Sequence, residues 1–175
     1  MELDTPARND IHVRPATRDD AAAMARIYNY YVGQTIVTFE EVAVTANDFE
    51  RRVEEVQAGS LPWLVAEQGS EIVGYAYASN WKRRYGYRFS VEVTVYLDPT
   101  SARRGIGTRL YAQLLLLLKA AGIRVAIGGI ALPNDASVIL HEKFGFKKVA
   151  HFKEVGIKFD QWIDVGYWQL SLQSE

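Results

Sequence analysis

The sequence predicts an α/β (α+β) chain built on a mixed sheet covered by helices. Three observations carry this. Residues 89–97, FSVEVTVYL, alternate cleanly: Val91, Val93, Val95 and Leu97 fall on one face, and Glu92, Thr94 and Tyr96 on the other. That is the period of a strand. Strand and helix patterns alternate through the middle of the chain. Hairpin patterns stand at either end.

Each element has its own signal. A first strand is expected at 11–14, ended by Pro15. Thr17 can cap a helix, with Asp20 three residues on as a variant of the capping box. Ala21, Met24, Ala25, Ile27, Tyr28 and Tyr31 follow at helical spacing. A second helix is expected from Thr45 to near Gly59. WLVAE (63–67) and EIVGYAYASNW (71–81) read as a hairpin around Gly69 and Ser70. A leucine-rich helix follows the glycine turn RRGIGT and stops at Gly122, a suitable C-terminal residue. VAIGGIA (125–131) is apolar throughout, as in a strand buried on both faces. Pro133, Asn134 and Asp135 start a helix that runs to about Phe144 and is ended by Gly145. Strands near 146–153 and 165–171 complete the chain.

The bulk numbers exclude several functions. The 175 residues suit one domain, expected at 11–172 after a short leader at 1–10. With 49% hydrophobic residues there is material for a substantial core. The net charge of −1 draws the chain toward neither nucleic acid nor membrane. No cysteine is present, which removes disulfides, a thiol nucleophile and thiolate metal sites. His12, His141 and His151 lack zinc-site spacing, so no metal is expected. The leader MELDTPARND has no apolar signal core, and apolar runs such as 114–118 are too short to span a bilayer. A cytoplasmic location is the expectation.

The stretch SARRGIGTRL carries the first chemical hint. It is neither a Walker loop nor a dinucleotide fingerprint, because the third glycine and the Lys-Ser/Thr pair are missing. Gly105 and Gly107 allow backbone angles that let N–H groups converge at a helix start, and Arg103 and Arg104 add positive charge. Phosphate or pyrophosphate would suit such a turn. An ordinary strand-to-helix turn with solvated arginines fits the same residues.

The order of strand, glycine turn, long helix, apolar strand, PNDAS and LHEKFGFKK resembles the GCN5-related N-acetyltransferase superfamily. The segments IYNYYVGQTIVTFEE, NWKRRYGYRFSVEVTVYL, IGGIALPNDASVILHEKFGF and VGIKFDQWIDVGYWQL resemble its phosphinothricin/methionine sulfoximine N-acetyltransferase family. The likeness covers about 11–172. It implies a mixed, mostly antiparallel central sheet flanked by helices. It also implies acetyl-CoA as co-substrate, a small amino-acid acceptor and a homodimer. One departure stands at Ala102, where the superfamily often has Gln or Arg; weaker cofactor binding is expected from it.

The resemblance assigns residues. The turn Arg103, Arg104, Gly105, Ile106, Gly107 and Thr108 would hold the pyrophosphate. The backbone of Val93, Thr94 and Val95 would pair with the pantetheine arm, with Asn134 and Ser137 beside it. Glu92 would be the general base, since an ammonium must lose its proton before it can attack. His141, where many superfamily members carry Tyr, would protonate the leaving thiolate. Lys82, Arg84 and Arg88 in the loop NWKRRYGYRFS would read the acceptor's acidic groups, walled by Trp81, Tyr85, Tyr87 and Phe39. Of the cations, Arg84 and Arg88 are the first choice because guanidinium binds acidic groups in a fork. Each has a plainer alternative. Glu92 suits a half-exposed strand carboxylate, His141 a hydrogen-bonded helix histidine, Asn134 a helix cap, Ser137 a solvated first turn, the cations a solvated loop and Phe39 core packing.

Overall fold

The structure, a computed structural model, describes residues 11–101 and 104–173. The expected leader, Ala102 and Arg103 lie outside the described residues. Seven strands form one sheet in the order β1-β2-β3-β4-β5-β7-β6. These are β1 (Ile11–Pro15), β2 (Trp63–Gln68), β3 (Glu71–Asn80), β4 (Ser90–Leu97), β5 (Val125–Leu132), β6 (Lys147–Lys158) and β7 (Gln161–Ser171). Four helices cover it: α1 (Ala21–Gln34), α2 (Ala46–Ala58), α3 (Ile106–Ala120) and α4 (Asp135–Lys143). Every neighbouring pair is antiparallel except β4 and β5. A parallel pair needs a crossover, and α3 supplies it.

The helix starts follow local chemistry. The Asp20 carboxylate accepts from the Thr17 N–H at 2.8 Å and receives two bonds from Arg14, so β1 is tied to the start of α1. A single 3-10 turn at Arg18–Asp20 precedes the α-helix proper. At α2, Thr45 Oγ1 accepts from the Asp48 N–H at 3.2 Å, and the Asp48 carboxylate accepts from the Thr45 N–H at 2.9 Å, a full capping box.

The sheet separates two cores. One face packs α3 and α4 through Val91, Val93, Leu110, Tyr111, Leu114, Ala126 and Trp168. The other packs α1 and α2 through Met24, Tyr28, Phe49, Val53, Trp63 and Tyr75. The alternation in β4 therefore serves two different interiors rather than a core and a solvated face. Tyr77 lies under α2 and α1 with its hydroxyl pushed up to about 12 by burial.

The last two strands correct the expectation. β6 and β7 run well past 153 and begin before 165, joined by Phe159 and Asp160, both at positive φ (50° and 58°). Two successive left-handed residues make the tight turn whose twist suits a hairpin. Phe-Asp lacks the Asn-Gly or Asp-Gly signature, so the hairpin expected at this end was drawn with strands too short, and its tight turn was not visible in the sequence.

Candidate active site

The one parallel pair creates the site. β4 and β5 are in register for three residues only, ending at Glu92 opposite Ile127. Beyond that point the strands part. The backbone of Val93, Thr94 and Val95 continues to pair with β3 on one side, and its other edge faces an open cleft. Val93, Thr94, Val95 and Tyr96 line one wall; Gly129, Ile130 and Ala131 line the other; Asn134, just before α4, and Ser137 and His141 of α4 close the end. A strand edge with unspent N–H and C=O groups can accept an extended amide-bearing ligand as one more strand.

Glu92 and His141 reach β5 from opposite faces of the sheet, at adjacent residues. A Cβ on Gly129 would sit 3.1 Å from Glu92 Oε1 and 3.1 Å from the Tyr167 ring, whereas a Cβ on Gly128 would overlap His141 Nε2. Consecutive Cβ positions in a strand point to opposite sides. The two glycines of IGGIA therefore make room for one group on each face, with the β4–β5 opening as the passage between them. This corrects the reading of 125–131 as a uniformly apolar, fully buried strand: Gly129 is exposed. Replacing Gly128 by Ala is expected to destabilise the fold by about 1–3 kcal/mol, the usual cost of an overfilled core site. Urea unfolding of the variant measures it; unchanged stability would show that His141 can move aside freely.

Glu92 is half-buried. Burial raises its carboxyl above the ordinary range, and the Lys82 ammonium pulls in the opposite direction. His141 is buried at 3% exposure. Its Nδ1 lies 2.7 Å from the Ser137 carbonyl, so Nδ1 carries the hydrogen and donates it. Nε2 is then the acceptor and receives the Tyr111 hydroxyl at 3.0 Å. Burial also lowers His141 from the usual imidazole range, with the Ser137 bond opposing it. The histidine is thus neutral, with Nε2 tied to a tyrosine that also lines the cleft. Tyr111 was hidden in the sequence, where it reads as one apolar residue of a leucine-rich helix.

Asn134 serves the fold and the cleft together. Its side chain accepts from the Ser137 N–H at 3.2 Å, capping α4, while both residues line the cleft. At the other end of the cleft wall, Gly105 stands before α3 at φ 75°, a left-handed angle that favours glycine. Arg109 N–H bonds back to the Gly105 carbonyl, so Ile106, Gly107 and Thr108 form the first turn of α3, whose N–H groups have no acceptor within the helix. Such a turn attracts an anion. Gly107 has a second duty: a Cβ there would come 3.2 Å from Leu140, so glycine lets α3 and α4 approach. Arg104 is exposed and bonds Gln68, and Thr108 Oγ1 accepts from Lys143. Of the expected basic turn, Arg104, Gly105 and the start of α3 are described, while Ala102 and Arg103 lie outside the described residues.

On the Glu92 face, a pocket of about 330 Å³ is lined by Trp81, Lys82, Ile127, Phe152 and Tyr167 among others. Lys82 sits 4.9 Å over the Trp81 ring. Arg84 and Arg88 do not enter this pocket. They flank an exposed 3-10 turn (Tyr85–Tyr87), with Arg88 lying over the Tyr85 and Phe89 rings. Lys82, the second choice from sequence, is the cation that faces Glu92. Phe39 is 40% exposed and packs where a Gly156 side chain would otherwise stand, so it belongs to the surface near the cleft and not to the core. Among the described residues no cluster of His, Asp or Glu side chains converges as a metal site. Nor is any helix long and apolar enough to cross a membrane.

Known proteins share this architecture. Residues 13–166 match the acetyltransferase (GNAT) domain family. The chain is 39% identical over 165 residues to phosphinothricin N-acetyltransferase of Streptomyces viridochromogenes, covering 94% of this chain and 90% of that one. It is 33% identical to the L-methionine sulfoximine/L-methionine sulfone acetyltransferase of Salmonella typhimurium, over 91% of this chain and 94% of that one. An acetyltransferase structure from Salmonella typhimurium with its cofactor acetyl-CoA superposes with a TM-score of 0.91 at 32% identity, covering 94% and 95% of the two chains. The splayed strands, the glycine turn and the α4 cap fit acetyl-CoA, and with these likenesses they place the chain in the GNAT family as an acetyl-CoA-dependent N-acetyltransferase.

Proposed function

We propose that the acceptor is the α-amino group of a small amino-acid-like molecule with a second anionic or strongly polar group, of the phosphinothricin, methionine sulfoximine or methionine sulfone class. The observation that carries this reading is the passage at Gly128 and Gly129, which sets a half-buried carboxylate and a cation on one face and a neutral histidine on the other. The names of the relatives point to the same class of acceptor.

Acetyl-CoA supplies an acetyl group activated as a thioester. The protein supplies the rest. The N–H groups of Ile106, Gly107 and Thr108 hold the pyrophosphate at the start of α3, with Arg104 and Arg103 adding field. Val93, Thr94 and Val95 bind the pantetheine arm along their free backbone edge, and Asn134 and Ser137 border it. A backbone N–H at that edge is the candidate oxyanion donor, a contact worth about 2.7–4 kcal/mol where measured. Glu92 takes the proton from the acceptor ammonium, directly or through water. Lys82 attracts the acceptor's acidic group, with Trp81 and Phe39 as walls; Arg84 and Arg88 extend the positive field at the rim. His141 does not offer a free N–H in its resting form, which alters the expected acid role. The proton for the leaving thiolate comes instead from the Tyr111 hydroxyl, which His141 Nε2 orients, and the phenol is reprotonated from water in the open cleft.

The same reading includes a homodimer and a cytoplasmic location. β6 is the end strand of the sheet and exposes Val149, Phe152, Val155 and Ile157, and Trp162 of β7 is 64% exposed beside them. An edge strand with that much apolar surface is normally covered. Sedimentation of the purified protein as a monomer at micromolar concentration would remove the dimer from the reading.

The acceptor assignment is tested by thiol release from acetyl-CoA with methionine sulfoximine, methionine sulfone, phosphinothricin and ordinary amino acids. Release with the first three at the highest kcat/KM is expected. Release with none of them, despite acetyl-CoA binding, would sink the assignment.

A further inference from the structure

Lys158 is the one charged side chain in the largest fully buried set, with 0% exposure, and nothing in the proposed chemistry uses it. It sits at the far end of β6, beside the tight turn at Phe159. Its Nζ reaches back more than a hundred residues to the α1–α2 loop. There it donates to the Thr38 carbonyl at 2.7 Å and the Tyr31 carbonyl at 3.3 Å. The Tyr31 carbonyl belongs to the last turn of α1, where the helix dipole favours a cation. Glu40 and Glu41 act on the ammonium at longer range, and burial lowers it from the ordinary lysine range.

The loop that Lys158 grips reaches the cleft. Val37 lines the cleft itself. Thr38 is anchored from the other side by a 2.6 Å bond between its Oγ1 and the Tyr28 hydroxyl. Phe39 rests against the bare backbone of Gly156, two residues before Lys158, where any Cβ would overlap its ring. The hairpin tip therefore holds the loop at two successive points: a charge on carbonyls and a glycine under a ring. A buried ammonium without an ion pair is costly unless its donors are used, and both of its bonds go to this loop and the helix end beside it. A purely apolar hairpin would pack here at less cost, but it would not fix the loop's position.

We propose that Lys158 is a positioning residue for the acceptor. It clamps the 35–40 loop so that Val37 and Phe39 keep their places beside the cleft. This rests on the reading that the acceptor enters on the Glu92 face. Lys158→Met keeps the length of the side chain and removes both hydrogen bonds. The expected result is an acceptor KM raised by roughly tenfold, with acetyl-CoA KM within about twofold of the unsubstituted protein, because misplaced binding groups cost transition-state alignment. Hydrogen exchange across 35–41 should become faster while exchange in α3 stays unchanged. Equal changes in both KM values, or unchanged exchange across 35–41, would overturn the clamp. If Lys158→Met fails to fold, Gly156→Ala asks the same question by lifting Phe39 alone; acceptor KM must rise there too, or the proposal fails. Should the unsubstituted protein acetylate no small amino acid, the functional reading falls, and hydrogen exchange alone decides the clamp.

Discussion

Glu92→Gln is expected to lower kcat/KM by about 10²–10⁴, the usual worth of a positioned general base. The amide is nearly isosteric, so the strand pairing of Ser79 with Glu92 and of Glu92 with Ile127 should persist, and loss of activity would not reflect loss of fold. The pH dependence separates a base from a mere neighbour. Burial raises the Glu92 carboxyl, so the charged form is populated only above that raised value, and kcat/KM falls as the pH drops through it. Glu92→Gln removes this acid limb. Lys82 is the group that opposes the rise. Lys82→Met should therefore move the acid limb to higher pH, besides raising acceptor KM. An unaltered pH–rate profile in Glu92→Gln would show that the proton leaves by another route.

The second large effect lies on the other face. His141→Ala is expected to lower kcat by about a hundredfold while acetyl-CoA KM changes by less than about threefold. The imidazole is held by the Ser137 carbonyl and the Tyr111 hydroxyl, so its removal also leaves a buried phenol without an acceptor. That cost is about 1–3 kcal/mol and should appear as a lower unfolding midpoint. Tyr111→Phe isolates the proton path, because it spares the Ser137 bond and removes only the hydroxyl. Its kcat should fall by about tenfold or more if the hydroxyl supplies the proton. A rise in acetyl-CoA KM with kcat intact, in either variant, would make the pair part of the binding wall.

How far the site was legible depended on whether its parts leave a local pattern. Glu92 was picked out by the family resemblance, whereas the alternation alone set it on the polar face with Thr94 and Tyr96. Gly105 and the helix start at Thr45 were visible because turn and cap chemistry is written in nearby residues. Gly128 and Gly129 were passed over within an apolar run, since their purpose appears only when Glu92 and His141 arrive from distant elements. Tyr111 was masked by its leucine neighbours. Lys158 left no trace, because its two partners are backbone carbonyls more than a hundred residues away. In the basic loop, composition alone favoured the arginines. The packing of Arg88 on Tyr85 and Phe89 keeps it at the rim, and Lys82 is the loop cation whose charge acts on the carboxylate. Phe159 and Asp160 show the same limit for the fold: a left-handed turn made without glycine or asparagine is set by the strands around it.

The central claim is that this cleft acetylates the α-amino group of a small, acidic or strongly polar amino acid. A single competition measures it most directly. Purified protein and limiting acetyl-CoA are mixed with equal concentrations of L-methionine sulfone and a short peptide bearing a free N-terminus and a lysine, and the products are read by mass spectrometry. The acetyl group should appear on the α-nitrogen of the amino acid, with the peptide unmodified. Acetylation of the peptide, with the amino acid untouched, would contradict it.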